Sequence, residues 1–408
     1  MAELIHPQER QAGVARPDLT TFLSLGFRPL YIAGVVWALV SIAIWIFAPQ
    51  LIPAPMWGVA WHAHEMLWGF IVTIALGFLL TASATWTGFN PLKGAPLGLV
   101  CILWLIARIA YLTGGDTAFT VGVISESAFF LISALSLLRV VIKGKSRRNY
   151  GLPLLVLGLG VANVLYLSAA KNGDYVLLIE HFNQGLIAMA VVALLIARRV
   201  IPFFSMRMVP ELKLPMLVGS GKYQLGFGVA AIVFSLVGLS WAMALSLAIT
   251  GLISLWQLAH WKPFSVLHKP MLWILYLGYA MIGIGLICAA AHMAGIGASS
   301  PLGRSATHVH IIGMGGFCIL IIGMLTRTAL GHLGRPLALD ASMLLSYYLM
   351  IAAVALRLAA LWPSSVTLML LHASAACWIV CMGLYLWRFV PMLIRPRPDA
   401  VLKAKAAK

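Results

Sequence analysis

Residues 61–85 read WHAHEMLWGFIVTIALGFLLTASAT, and this stretch governs how the rest of the chain is interpreted. After Glu65 it continues for roughly twenty residues without a charge, which is the length that an α-helix needs to cross a bilayer. Two histidines, His62 and His64, stand at its start. Side chains at positions i and i+2 of an α-helix diverge by roughly 200°, so one helix can direct an imidazole to each of two sites.

The same arrangement recurs 246 residues later, where His308 and His310 begin another apolar stretch. The same offset also superposes three pairs of glycines: Gly69 and Gly315, Gly77 and Gly323, Gly88 and Gly334. A third apolar stretch begins similarly, at Glu180 and His181. These three stretches are each four apolar spans apart, which suggests a pseudo-threefold repeat of four-helix units.

The composition indicates an integral membrane protein. Of the 408 residues, 62% are hydrophobic and 10% are charged, which is too little polar surface to cover a soluble globule. Because lipid requires every backbone polar group to be satisfied internally, we expect an all-α polytopic fold. Twelve transmembrane helices are predicted, near 28–48, 61–85, 95–114, 117–141, 151–170, 174–198, 221–239, 241–260, 270–293, 305–328, 338–362 and 365–390. The chain is thereby divided into an N-terminal arm (1–27), a transmembrane domain (28–390) and a basic tail (391–408).

The net charge of +17 comes from Lys and Arg residues that are concentrated in particular loops and at the termini. Under the twelve-span topology, all but four of the 28 Lys and Arg residues lie at the termini or in even-numbered loops. The four on the opposite side are Arg108, Lys171, Arg304 and Arg357. Since cytoplasmic loops carry the excess of Lys and Arg, both termini are predicted to be cytoplasmic, and the charge indicates no nucleic-acid partner.

In this topology the even-numbered helices run from outside to inside, so several histidines share one layer in the outer half of the membrane. The layer holds His62, His64, His181, His308, His310 and His372. Heme iron and copper both accept neutral imidazole, and burial favours that neutral form. We therefore expect these six residues to ligate metal and the two H-x-H pairs to bind heme. The alternative is that they hydrogen-bond neighbouring helices or relay protons in a transporter. For His292, near a helix end, a purely structural role is expected.

Charged residues lie close to this layer. Arg108, Arg304 and Arg357 fall near the outer ends of their spans, where they are candidates to bind heme propionates, although arginine also extends to the interface for solvation. Glu65 and Glu180 are candidate catalytic acids because ionisable residues at membrane depth are usually functional. Each glutamate, Glu126 included, could instead pair with an arginine.

Three segments carry a resemblance to a known family. They are 61–69 (WHAHEMLWG), 199–204 (RVIPFF) and 326–335 (TRTALGHLGR), and together they resemble the NnrS family. The resemblance implies a twelve-span bacterial inner-membrane protein that contains heme and copper and is associated with denitrification and defence against nitric oxide.

The layout is also similar to the catalytic subunit of heme-copper oxidases and nitric oxide reductases. That similarity implies that His308 and His310 serve two hemes, that His62 or His64 is the helix-two ligand, and that His181 binds copper. The oxidases have a tyrosine four residues after the helix-six histidine, where this chain has Gly185. This difference favours nitric oxide over oxygen as the ligand, with His372 and Glu180 as further copper candidates.

Together with the histidine layer, these two resemblances imply a protein with heme b and copper that acts on or responds to nitric oxide. Electrons would come from a quinol or a redox protein, since no flavin or nicotinamide motif is visible. Two alternatives are a nitric oxide sensor or metal-handling protein without turnover, and a proton-coupled transporter without heme.

Overall fold

The computed structural model describes residues 15–406, and all regular secondary structure in that range is helical. A short helix, Leu19–Phe22, precedes the long ones, and α13, Pro398–Ala406, follows them in the tail. The long helices in this range are α1 Phe27–Phe47, α2 Val59–Thr87, α3 Ala95–Thr113, α4 Asp116–Lys143, α5 Gly151–Asn172, α6 Tyr175–Met208, α7 Val218–Leu236, α8 Ser240–His260, α9 Pro270–Met293, α10 Ser305–His332, α11 Ala341–Ala359 and α12 Thr367–Leu393. The prediction of an all-α protein is confirmed.

Eleven of these helices are long and apolar enough to cross a membrane. The exception among the described residues is α7, where Lys222 and Gln224 lower the mean hydropathy. Large apolar side chains are exposed on the outside of the bundle, for example Leu154 at 68% and Ile109 at 57%. A surface of this kind is stable in lipid, so the chain is a multi-pass membrane protein.

Helix ends follow from local sequence. Asp174 caps α6 by accepting a hydrogen bond from the backbone N–H of Leu177 at 3.0 Å, and Asp340 caps α11 in the same way. Gly88 ends α2 with a φ of 78°, a left-handed conformation that glycine adopts without strain. α6 continues through Pro202 to Met208, so the connection to α7 is shorter than the predicted loop of residues 199–220.

Most successive helices pack against each other, and α12 returns to α1. The indole of Trp378 donates to the Ala38 carbonyl at 2.9 Å, which joins these two helices. Nη1 of Arg28, at the start of α1, donates to the carbonyls of Leu393 and Arg395 at 2.6 and 2.9 Å. The start of α1 and the end of α12 therefore lie at the same end of the bundle.

The centre of the bundle is formed by α2, α6 and α10, which contact one another. In α2, 83% of the most apolar stretch is buried. The histidines at the start of α2 and α10 therefore lie where the interior helices meet.

Both H-x-H pairs are followed by a π-helical segment. In α2 it covers Glu65–Val72 and in α10 it covers Ile311–Cys318. The two segments have eight residues each and are again 246 positions apart, so the repeat between α2 and α10 extends to the backbone. α6 is α-helical throughout, so it does not share this feature, and the threefold repeat stays a prediction. Short π segments inside α-helices frequently mark functional sites.

Candidate functional site

His64 lies in a buried ion network. We use that name for His64, Glu65, Arg108 and Glu126, which come from α2, α3 and α4 and are each at most 1% exposed. Arg108 pairs with both carboxylates through separate guanidinium nitrogens. His64 Nδ1 lies 2.9 Å from Glu65 Oε1, and His64 Nε2 lies 3.1 Å from Glu126 Oε2. Two cationic and two anionic side chains thus alternate around a closed ring of contacts.

The hydrogen bonds of His64 determine which form of imidazole fits there. Nε2 also lies 2.9 Å from Oδ1 of Asn163 on α5. Ionised carboxylates and amide oxygens only accept hydrogen bonds, so both ring nitrogens of His64 must donate. The doubly protonated imidazolium satisfies this arrangement, and it makes the network electrically neutral. An imidazolium has no lone pair for a metal, so the network fits His64 as a structural cation.

Neighbouring side chains complete the network. The indole of Trp37 on α1 donates to Glu65, and the hydroxyl of Tyr111 donates to Glu126 Oε2 at 3.1 Å. Gly69 makes room for these contacts, because a Cβ there would lie 2.5 Å from both Arg108 Nη1 and Glu65 Oε2. Buried charges are tolerated only when they are paired and hydrogen-bonded, and this cluster meets that condition.

The side chain of His62 lies outside the ion network that contains His64. Its ring stacks on the indole of Trp45, with centroids 5.0 Å apart, and its buried Nδ1 has no hydrogen-bond partner among the described residues. His62, His310 and Arg357 lie within electrostatic range of one another. His310 Nδ1 donates to the Ala306 carbonyl at 2.7 Å, which leaves the Nε2 lone pair free. We call these three residues the His62 group; it joins α2, α10 and α11.

His308 belongs to a third cluster. Its ring centroid lies 5.0 Å from that of His292 at the end of α9, and its Nε2 lies 3.3 Å from Asn183 Oδ1 on α6. We call His292, His308 and Asn183 the His292 group. Each H-x-H pair therefore sends its two imidazoles to different clusters, as the i, i+2 spacing predicts.

The other predicted site residues lie apart from these clusters. His181 is half-buried and hydrogen-bonds Gln184 on its own helix at 2.9 Å, while Glu180 is exposed. His372 is exposed and stacks on Phe47 beside an open apolar groove. Arg304 is exposed and reaches the Leu361 carbonyl at 3.3 Å.

Several residues of these clusters were not predicted as site residues. Asn163 and Asn183 are the clearest, and the available signal was a carboxamide within an otherwise apolar span, where polar side chains usually bond a neighbouring helix. His292 was assigned a structural role because it is close to the end of α9. Its position just before the loop that leads into α10 was the signal that could have placed it beside His308.

Within the described range, no three His, Cys, Asp or Glu side chains are grouped so that they could hold a metal ion by themselves.

No curated protein matches the chain significantly. A family model does match, that of the NnrS protein, and it covers nearly the whole chain. Because residues 21–397 match this model, the chain belongs to the NnrS family.

Proposed function

We propose that this chain binds heme at the His62 group and acts on nitric oxide there, in the outer half of the bacterial inner membrane. NnrS family membership indicates a membrane protein of the nitric oxide response. The observation that carries the proposal is that His62, whose buried Nδ1 has no hydrogen-bond partner among the described residues, lies within electrostatic range of His310 and Arg357 on two other helices.

The donor set of the His62 group fits heme. The unpartnered Nδ1 of His62 and the free Nε2 of His310 are available imidazole nitrogens, and neutral imidazole is a ligand that heme iron accepts. Arg357 is a half-buried cation without an acid partner in the group, so its guanidinium can pair with a propionate carboxylate. Trp45 stacks flat on His62 and fixes the orientation of its ring.

Heme iron held there would supply nitric oxide binding and one-electron transfer. The protein residues supply position and environment. Hydrogen bonding to Ala306 sets the tautomer of His310, as second-shell bonds do for metal-ligating histidines. Apolar helices around the group allow access to nitric oxide from lipid and limit access to water. A quinol or a redox protein would supply the electrons.

The ion network lies next to this group, two residues away on α2. Arg108 is already paired with Glu65 and Glu126, so it fits a propionate less well than Arg357 does. The network holds α2 against α3, α4 and α5, and thereby fixes the direction of the H-x-H pair. Glu65 then acts as a positioning residue rather than as a catalytic acid.

Absorption spectra of purified protein test the proposal. We expect a Soret band that shifts when nitric oxide is added to the reduced protein, because heme held by the His62 group would bind nitric oxide through its iron. His62→Ala and His310→Ala should each reduce heme content or alter the spectrum. His268→Ala is the matched control, since His268 is exposed in the α8–α9 connection. An unchanged spectrum and heme content in both site variants would remove the His62 group as the heme site.

If the protein contains heme, a nitric oxide consumption assay distinguishes an enzyme that turns over nitric oxide from a sensor that only binds it. Consumption by reduced protein indicates turnover, whereas a shifted Soret band without consumption indicates a sensor.

The buried ion network is the observation that favours a proton-coupled transporter as a second candidate, because charged side chains at membrane depth often relay protons. Absence of heme from wild-type protein that was expressed with adequate heme would favour the transporter.

We also propose a topology of twelve spans with both termini in the cytoplasm. The contact of Arg28 with the end of α12 requires an even number of crossings between them. The eleven apolar helices become twelve if α7 crosses, and its polar Gln224 is satisfied inside the bundle by Ser254 and Tyr279. The distribution of Lys and Arg residues supports the same orientation.

A further inference from the structure

The two imidazole rings of the His292 group lie close together, with centroids 5.0 Å apart, and each ring has one nitrogen that its hydrogen bond leaves with a lone pair. His292 Nδ1 donates to the Gly303 carbonyl at 2.6 Å, so its Nε2 carries the lone pair. His308 Nε2 donates to Asn183 Oδ1 at 3.3 Å, so its Nδ1 carries the lone pair. That Nδ1 is buried and has no hydrogen-bond partner among the described residues, although His308 is only 1% exposed.

A buried acceptor without a donor is costly, and native structures rarely leave one without a reason. The unpartnered nitrogen of His308 therefore marks a position where a ligand or metal ion can bind. The carbonyl of Gly303 and the side-chain amide oxygen of Asn183 each accept a hydrogen bond from one ring and so fix its tautomer and orientation. Metal-ligating histidines are usually held by a hydrogen bond of this kind from the nitrogen that does not bind the metal.

We propose that His292 and His308 bind copper, with Asn183 as a positioning residue. This inference rests on the proposed function and assigns the ligands of its second metal. Two imidazoles bound to one metal at about 2.0–2.1 Å with a near-tetrahedral angle place their ring centroids roughly 5 Å apart. The observed centroid separation is 5.0 Å, with an angle of 39° between the ring planes.

The small number of protein ligands favours copper. Structural zinc takes four protein ligands and catalytic zinc takes three, whereas no such group exists among the described residues. Copper accepts imidazole, and a given nitrogen-donor site generally binds Cu(II) more tightly than Zn(II). Two protein ligands leave coordination positions open for water or nitric oxide. His292 is half-buried beside the exposed loop of residues 294–299, so small molecules can reach this side of the group.

The test uses two variants. Each removes the nitrogen lone pair that would bind copper and keeps the hydrogen bond that orients the side chain, to the Gly303 carbonyl or to Asn183. In His292→Asn the amide nitrogen replaces Nδ1 as donor to Gly303, and no Nε2 is present. In His308→Gln the amide nitrogen replaces Nε2 as donor to Asn183, and no Nδ1 is present. We expect copper per chain, measured by elemental mass spectrometry, to fall at least about tenfold in each.

Heme content and the Soret band report on folding and on the heme site, and we expect both to be retained in these variants. Retained copper in either variant would overturn the assignment, as would loss of copper only in His181→Ala or His372→Ala. Wild-type protein that carries heme and no copper would overturn the assignment and leave the proposed function standing. If wild-type protein contains copper but does not bind nitric oxide, the proposed function would be overturned instead.

Pulsed EPR of oxidised wild-type protein gives a readout that does not depend on the folding of a variant. Labelling histidine with ¹⁵N should change the nitrogen couplings of the copper signal, as two bound imidazoles require. Asn183→Leu should weaken copper retention less than either ligand variant, since it removes only the bond that orients His308. A copper signal that is insensitive to histidine labelling would contradict the proposal.

Discussion

Replacement of Arg108 by methionine should strongly destabilise the protein, because it removes one positive charge from a buried network in which two positive and two negative charges balance. Arg108→Met leaves Glu65 and Glu126 with His64 as their remaining cation, so one buried negative charge is uncompensated. Removal of one partner from a buried pair costs about 3–5 kcal/mol. Glu126→Gln should cost a similar amount, since it leaves one uncompensated positive charge.

The double variant distinguishes charge balance from loss of packing. Arg108→Met combined with Glu126→Gln removes one charge of each sign and leaves His64 paired with Glu65. The double variant should be more stable than the sum of the single effects predicts, by about 0.5–3 kcal/mol. Arg139→Met is the control; Arg139 is exposed on α4 and donates to the Pro91 carbonyl at 2.7 Å, so its loss should cost less than about 1.5 kcal/mol.

Equilibrium unfolding in mixed detergent micelles, followed by tryptophan fluorescence, measures these free energies. If Arg108→Met unfolds within about 0.5 kcal/mol of the wild type, the network contributes no more than a surface contact. If the two single effects are additive in the double variant, the charges do not compensate each other and the neutral-network interpretation is wrong.

Two further predictions concern the repeat and the topology. Gly69→Ala should destabilise the protein more than Gly315→Ala, because a Cβ at position 69 meets the ion network at 2.5 Å whereas one at position 315 meets the mobile end of Met281 at 2.6 Å; equal unfolding free energies would contradict this. A cysteine at Phe264 should be labelled from the cytoplasmic side and one at Ile296 from the periplasmic side by an impermeant thiol reagent, and the reverse pattern would exclude the proposed orientation.

Much of the fold follows from the sequence because a bilayer imposes strong constraints. Each predicted span corresponds to a helix, since backbone groups in lipid must be satisfied within the segment. The end of α6 was less predictable. Pro202 suggests a break, but the helix continues through it, and such continuation depends on packing by neighbouring helices.

The π segments were also beyond prediction from the sequence. An i to i+5 bond forms only where neighbouring helices stabilise the wider turn, and no residue type specifies it. The hydroxyl of Thr73, which donates to the Trp68 carbonyl five residues earlier at 3.2 Å, shows how a side chain reinforces the segment in α2. That contact becomes visible only when the backbone is known.

For the candidate site, the sequence indicated the residue types more reliably than their partners. The H-x-H spacing correctly predicted that His62 and His64 diverge. The identity of their neighbours depends on which helices are adjacent, and Arg108 and Glu126 come from α3 and α4. Linear spacing does not encode that adjacency, so the pairing of Arg108 with two glutamates was only one of the alternatives.

The paired π segments have a consequence for how this protein can change over evolutionary time. An α-helical residue advances the chain by about 100°, so the loss of one residue from Glu65–Val72 would rotate everything before it relative to everything after it. His62 and His64 would turn toward new neighbours, while the part of α2 that follows the π-helical segment kept its packing. Single-residue insertions or deletions in the two segments are therefore small genetic steps that would redirect the imidazoles, and in α2 such a step would also separate His64 from Glu126 in the ion network.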